Sequence, residues 1–264
     1  MPEFWSALAV FALLSASAAA GFRVRRLIPE AHRSAGATDL IRLVVGMVMT
    51  FAALVLGLLT TSVKTAFDSA ERNRGLYAAQ LTELDGCLRS YGAEADPIRR
   101  RLLGYAAAVT ASTWPAEPLP DGVRRPDTAG MPRIGESEAL GRTLGQVDLE
   151  IRRLQAPDPF HARLAADCSA QMQETIKRRW LLIEEARGSI SEPFLRVLVF
   201  WLMVIFASFG LYAPPNGMVV AVVALCAVCV ASALFVILDM DIPYGGLFGI
   251  SSRAMRGALA HMVE

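Results

Sequence analysis

Polar and apolar positions fall in long blocks rather than in a short alternation. Four runs are apolar almost throughout: Phe4–Phe22, Leu40–Val63, Phe194–Tyr212 and Met218–Leu238. Each is close to the ~20 residues that carry a helix across a bilayer. The second run holds one charge, Arg42, near its start; the third holds Arg196; the fourth holds none. Between the last two, Ala213 to Gly217 leaves room only for a tight turn. Pro214 and Pro215 stop one helix, and Asn216–Gly217 turns the chain. The unit is a transmembrane helical hairpin.

The first run ends in small residues that resemble a signal-peptidase site. However, Glu3 rather than Lys or Arg precedes it, and Arg23, Arg25 and Arg26 follow directly. A retained helix is therefore expected over a cleaved signal. A basic connector, Arg23 to Asp39, contains Pro29, and Thr38 or Asp39 is expected to cap the next helix. Within that helix Gly46 and Gly57 are expected to admit another helix closely. Thr50, Thr60 and Thr61 either line a polar path or bond back to their own helix, the second being favoured.

The polar stretch from Lys64 to Ser191 reads as helices. Phe67, Ala70, Tyr77, Leu81, Leu84, Leu88 and Tyr91 keep three-four spacing, with Arg74 the one charged member of that face. No breaker separates this face from the second apolar run, so one helix is expected to run out of the membrane. Asp96–Pro97 opens another helix through Ile98, Leu102, Tyr105 and Val109. Trp114 to Arg133 is rich in Pro and Gly and reads as a loop. Leu140 to Leu154 marks a third helix, broken at Pro157 to Pro159. A long fourth, from Leu164 through Ile190, leads back into the membrane. Such helices can bury a shared core as a bundle.

The expected fold class is thus all-α: four transmembrane helices with a helical extramembrane insert between the second and third. Residues 1–63 hold two spans, 64–192 the insert, 193–238 two more spans, and 239–264 an Asp/Gly-rich exit and tail.

Composition adds little chemistry. Hydrophobic residues make up 54% of the 264 residues and the net charge is +1, which leaves no basic footprint for nucleic acid. His32, His161 and His261 are far apart and share no metal-ligand spacing. Cys226 and Cys229 lie one helical turn apart in an apolar run, where packing is expected rather than metal or redox chemistry. Cys87 and Cys168 are expected as small buried thiols; they pair only if the insert faces an oxidising compartment. No nucleophile motif or phosphate-binding loop is present, so no enzyme, cofactor or metal site is expected.

Several stretches carry a resemblance: LTELDGCLRSYG, RRRLLGYAAAVTASTWP, FLRVLVFWLMVIFASFGLYAPPN and ALFVILDMDIPYGGLFGISS. Together they are similar to the bestrophin-like domain family of bacterial and plant multi-pass membrane proteins, most sharply from Pro193 to Ser251. The resemblance implies four spanning helices, a helical insert between the second and third, and a distant likeness to the bestrophins, which are pentameric anion channels. The segment around Met47, Phe51 and Leu54 does not show the bestrophin pore-neck motif.

Four spans put both termini and the insert on one side of the membrane. Arg23, Arg25, Arg26 and Arg33 argue that the opposite side is cytoplasmic. Lys64, Arg72, Arg74, Lys177, Arg178, Arg179, Arg187, Arg253 and Arg256 argue the reverse. The resemblance favours a cytoplasmic insert and termini in a bacterial inner membrane.

Asp239 and Asp241 sit at a helix C-terminus, where the dipole is already negative, and Arg196 sits near a helix start at the same face. Arg196 is expected to pair with Asp239 or Asp241. Pro243, Gly245 and Gly246 are expected to bend the exit, with Tyr244 and Phe248 at the membrane interface. Thr50, Phe51, Leu54 and Gly57 are the candidate pore-lining residues. Two functions compete. One is a homo-oligomeric channel passing small ions through the bilayer. The other is a membrane-anchored interaction protein whose insert binds a partner.

Overall fold

Four apolar helices cross the membrane, and a helical insert separates the second from the third. The computed structural model describes residues 2–27, 35–133, 135–186, 188, 190–214 and 216–264. Its helices are α1 (Pro2–Leu27), α2 (Ala35–Tyr91), α3 (Asp96–Thr113), α4 (Glu138–Arg152), α5 (Pro159–Glu185), α6 (Glu192–Tyr212), α7 (Gly217–Asp241) and α8 (Arg253–Val263). The spans are provided by α1, α2, α6 and α7. Pro29, His32, Arg33, Arg187 and Pro215 lie outside the described residues.

The chain divides into two units, one of Met1–Ala66, Ser189–Asp241 and Gly246–Phe248, the other of Phe67–Gly188, Ile242–Gly245 and Gly249–Glu264. In the membrane unit Leu14 and Ala18 of α1 pack with Ala52, Leu59 and Val63 of α2. Leu198, Leu202, Ile205 and Phe206 of α6 and Leu234 and Ile237 of α7 complete this core. The tightest crossing is between α1 and α6. A Cβ added to Gly21 would meet the Ala207 carbonyl, and one added to Gly210 would meet the Ala18 carbonyl. Small residues let these backbones touch, which is how apolar helices gain contact where lipid competes for every other surface. The glycines expected in that role, Gly46 and Gly57, instead have open space where a Cβ would stand.

As the unbroken face predicts, α2 is one helix of 57 residues. Its start is earlier than expected: Thr38 and Asp39 lie inside it rather than at its cap. The second unit is built on its C-terminal half. Tyr77, Leu81, Leu84 and Leu88 pack with Leu102 and Tyr105 of α3, Leu144, Val147 and Ile151 of α4, and Cys168 and Met172 of α5. Asp158 caps α5 by accepting from the His161 N–H at 2.8 Å. The α5 helix does not continue through Ile190; it ends at Glu185, and Gly188 takes a left-handed φ of 81° before Pro193 opens α6.

Within the Asp/Gly-rich exit and tail the chain becomes helical again. It forms α8, whose Met255, Ala258, Leu259 and Met262 recur at helical spacing and are buried in the same core. Ahead of it, the Trp114 indole N–H donates to the Ile250 carbonyl at 2.8 Å. Cys87 and Cys168 form a disulfide, with Cα atoms 5.6 Å apart. This corrects the expectation of two free thiols: the buried faces of α2 and α5 bring both sulfurs to one point. Cys226 and Cys229 are free and exposed on α7 rather than packed.

Candidate functional site

Three places carry the charged and polar groups that matter. The first is the outward face of α2. Of its apolar stretch, 11% is buried within the chain, against 28% for α1 and α6 and 22% for α7. Val48, Ala52, Val55, Leu56, Leu59 and Val63 face the bundle. Met47, Phe51, Leu54 and Leu58 are each more than half exposed on the other side. The candidate residues Thr50, Phe51, Leu54 and Gly57 are all exposed. The threonines do not offer free hydroxyls: Thr50 donates to the Gly46 carbonyl, Thr60 to Leu56 and Thr61 to Gly57. This is the back-bonding that Ser and Thr adopt on helices exposed to an apolar medium.

The second place is the end of α7. Arg196 does not meet either aspartate. It pairs with Glu192, one turn earlier on its own helix, and its side chain is 70% exposed. Asp239 is buried, and its carboxylate accepts the Leu247 N–H at 2.9 Å and the Phe248 N–H at 2.8 Å. Asp241 accepts the Ile190 N–H at 3.0 Å. The physical reason for the correction lies in the exit. Once the chain folds back, backbone donors sit against the Asp239 carboxylate and satisfy it. Gly246 makes that approach, with φ 73°; a Cβ there would collide with the Asp239 carboxylate. Pro243 and Gly245 belong to the same bend, in which the Gly245 N–H donates to Ile242 and the Ile250 N–H to Pro243. Phe248 is exposed, but Tyr244 is not at an interface; it is buried in the core of the helical unit.

The third place was not singled out from the sequence as a site. A cavity of about 60 Å³ opens inside the helical unit. Arg74 comes from α2, Arg179 from α5, and Arg133 from the loop before α4; Tyr77, Tyr105 and Tyr244 supply ring walls, and Ser112, Thr113 and Ser137 supply hydroxyls. No carboxylate lies among its described lining residues. Arg74 and Arg179 are 6% and 7% exposed. The Arg74 guanidinium lies 4.4 Å from the Tyr244 ring centroid and 5.2 Å from that of Trp114, a cation–π arrangement. Among the described residues its Nε has no hydrogen-bond partner, and neither has the buried Tyr244 hydroxyl. Arg179 donates to the Ser137 carbonyl at 3.3 Å. The Tyr77 and Tyr105 hydroxyls share one hydrogen bond of 2.6 Å, and burial pushes the Tyr105 phenol above its ordinary pKa, so it stays protonated. The one sequence signal was Arg74 itself, a cation inside an otherwise apolar helical face.

Among the described residues no three His, Cys, Asp or Glu side chains converge as metal ligands.

Comparisons with known proteins bear on the family and the fold. The model of the bestrophin-like domain matches residues 4–255. No curated protein matches. Among solved structures, one variant of a bacterial bestrophin homologue from Klebsiella pneumoniae is 13% identical with a TM-score of 0.65, covering 100% of this chain and 97% of that one. Another variant is 14% identical with a TM-score of 0.62, and each chain is covered in full. A third gives 14% and 0.63, with 97% of both covered. At such identities the likeness concerns the fold.

Proposed function

The chain belongs to the bestrophin-like domain family, and from that premise we propose that several copies assemble in the membrane as an ion channel with α2 facing the path. The observation that carries this reading is the face of α2 left uncovered by its own chain. Lipid would cover such a face at no cost, so exposure alone does not choose. The choice comes from the whole-length likeness to bacterial bestrophin homologues. A path walled by Met47, Phe51, Leu54 and Leu58 is apolar and conducts by wetting rather than by binding. No reaction is proposed.

A second reading has its own support. The hydroxyls of Thr50, Thr60 and Thr61 are turned back onto α2, which withdraws these three groups from an ion path. A membrane-anchored interaction protein needs none.

Orientation is part of the proposal. Cys87–Cys168 is a bond of oxidising compartments, and Arg23, Arg25 and Arg26 end α1 just ahead of the short connector. Short loops weigh more than long domains in the positive-inside rule. Both signals support a cytoplasmic connector, with the insert and both termini on the other side. This reverses the orientation implied by likeness to the bestrophins.

Particle mass in detergent, followed by liposome flux of chloride, nitrate, sodium and potassium, tests conduction. An oligomer is expected whose flux rises in Leu54→Ser; a strict monomer without flux refutes it. Alkaline phosphatase fused after Glu264 tests orientation, an active fusion being expected.

A further inference from the structure

We propose that the cavity between Arg74 and Arg179 is a binding site for a small oxyanion, of the phosphate, sulfate or short carboxylate class. Both arginines are more than nine-tenths buried, and neither has an acidic partner among the described residues. A guanidinium does not shed its proton to escape burial, as a buried Lys can. Two such charges lining one cavity repel each other and have lost most of their water. Without an opposite charge that arrangement is unfavourable, and an anion from solution supplies one.

The remaining groups fit an anion too. All nearby donors with capacity to spare point the same way chemically. Arg74 Nε and the Tyr244 hydroxyl are buried, belong to the lining residues, and lack partners among the described residues. The Tyr77 and Tyr105 hydroxyls hold two hydrogens and use one between them, leaving one to donate. Ring contacts with Tyr244 and Trp114 hold Arg74 in place, while the edge of its guanidinium remains for hydrogen bonds. Arg133, exposed on the loop before α4, adds positive charge at the mouth. Glu185, next to the lining residue Ala186, receives the Asn73 amide instead.

Size narrows the class. A volume near 60 Å³ exceeds the ~10–15 Å³ that one water needs, yet it cannot take a nucleotide or an acyl chain. Recognition would be by charge and hydrogen bonds, since an oxyanion accepts from guanidinium edges bidentately and chloride does not. The inference does not depend on conduction.

The test uses full-length protein in nanodiscs and a chloride buffer, titrated separately with sulfate, phosphate and acetate. Calorimetry gives affinity, and tryptophan fluorescence reports the surroundings of Trp114. Saturable binding of one anion per chain is expected for at least one of the three, with the tetrahedral and carboxylate arms identifying which. Arg74→Gln and Arg179→Gln should each weaken it at least tenfold. No saturable oxyanion binding in the unmodified protein overturns the proposal, as does undiminished binding in both arginine variants. Should those variants fail to fold, Tyr244→Phe decides: it keeps the ring on Arg74 and removes one donor, so several-fold weaker binding supports the site and full affinity overturns it.

Discussion

Removing the Asp239 carboxylate tests how the chain leaves the membrane. Asp239 is 2% exposed at the last turn of α7, where the helix dipole opposes a negative charge. It is held there by backbone donors: Leu247 N–H lies 2.9 Å from each oxygen and Phe248 N–H lies 2.8 Å from one. Asp239→Ala leaves both N–H groups without an acceptor. A buried donor stripped of its partner costs about 1–3 kcal/mol, so two cost about 2–6 kcal/mol. The Leu247 and Phe248 side chains are themselves exposed, so water recovers part of the loss and the lower half of that range, about 2–4 kcal/mol, is expected. At ~2–4 °C per kcal/mol, the melting temperature falls by on the order of 5–15 °C. Asp239→Asn keeps one acceptor oxygen and should lose about half as much. Arg196→Ala breaks only an exposed pair with Glu192, one helical turn away, worth ~0.3–0.5 kcal/mol. Thermal unfolding of the three variants, followed by circular dichroism in one detergent, compares them. If Arg196→Ala matched Asp239→Ala, the two residues would be acting as a pair and the backbone account would be wrong.

Gly210→Ala should cost about 1–3 kcal/mol or more, because its Cβ would strike the Ala18 carbonyl and the Phe22 backbone rather than a movable side chain. Gly46→Ala, with open space at its Cβ, is the control and should leave thermal stability unchanged or slightly raised. Replacing Cys87 and Cys168 together by Ala opens a loop whose ends are 81 residues apart, for which chain entropy gives a loss of about 4–5 kcal/mol, measurable by urea titration and reproduced by reductant on the unmodified protein. Asp158 has its pKa lowered, first by the hydrogen bond from the His161 backbone N–H. Its contribution is therefore complete above the ordinary aspartate pKa of about 4 and is lost as pH falls through the lower native value. Asp158→Ala should lower the melting temperature at pH 7, and the gap to the unmodified protein should close on acidification.

What could be read in advance follows from which forces act along the chain and which act across it. The four spans and the long α2 were legible because helical periodicity and apolar length are local quantities. The α8 helix was missed although Met255, Ala258, Leu259 and Met262 carry the same spacing; an 11-residue stretch after a Gly-rich bend gives a short signal. Gly46 and Gly57 illustrate the opposite error. A glycine in a span says that a neighbour can come close, but not which helix face a neighbour occupies, and Gly21 and Gly210 hold that position instead. Pairing Arg196 with Asp239 rested on opposite charges at one membrane face. It failed because backbone N–H groups, invisible as chemistry in a sequence, were nearer competitors.

Arg74 and Cys87 show how a residue that breaks a pattern acquires meaning only with its distant neighbours. Along α2 each is one position on a buried face, and each reads as a tolerated exception. Across the fold, Cys87 meets Cys168 and Arg74 shares a cavity with Arg179, so the same two helices, α2 and α5, supply both a covalent clamp and two buried guanidinium groups with no carboxylate among the cavity's described lining. These features support each other energetically. Like charges held in one cavity push their helices apart, and a crosslink between those helices resists the push when no anion is bound. It follows that anion binding and the disulfide should be coupled: opening the bond relaxes the two guanidinium groups and lowers oxyanion affinity, while a bound oxyanion recovers part of the stability that reduction removes.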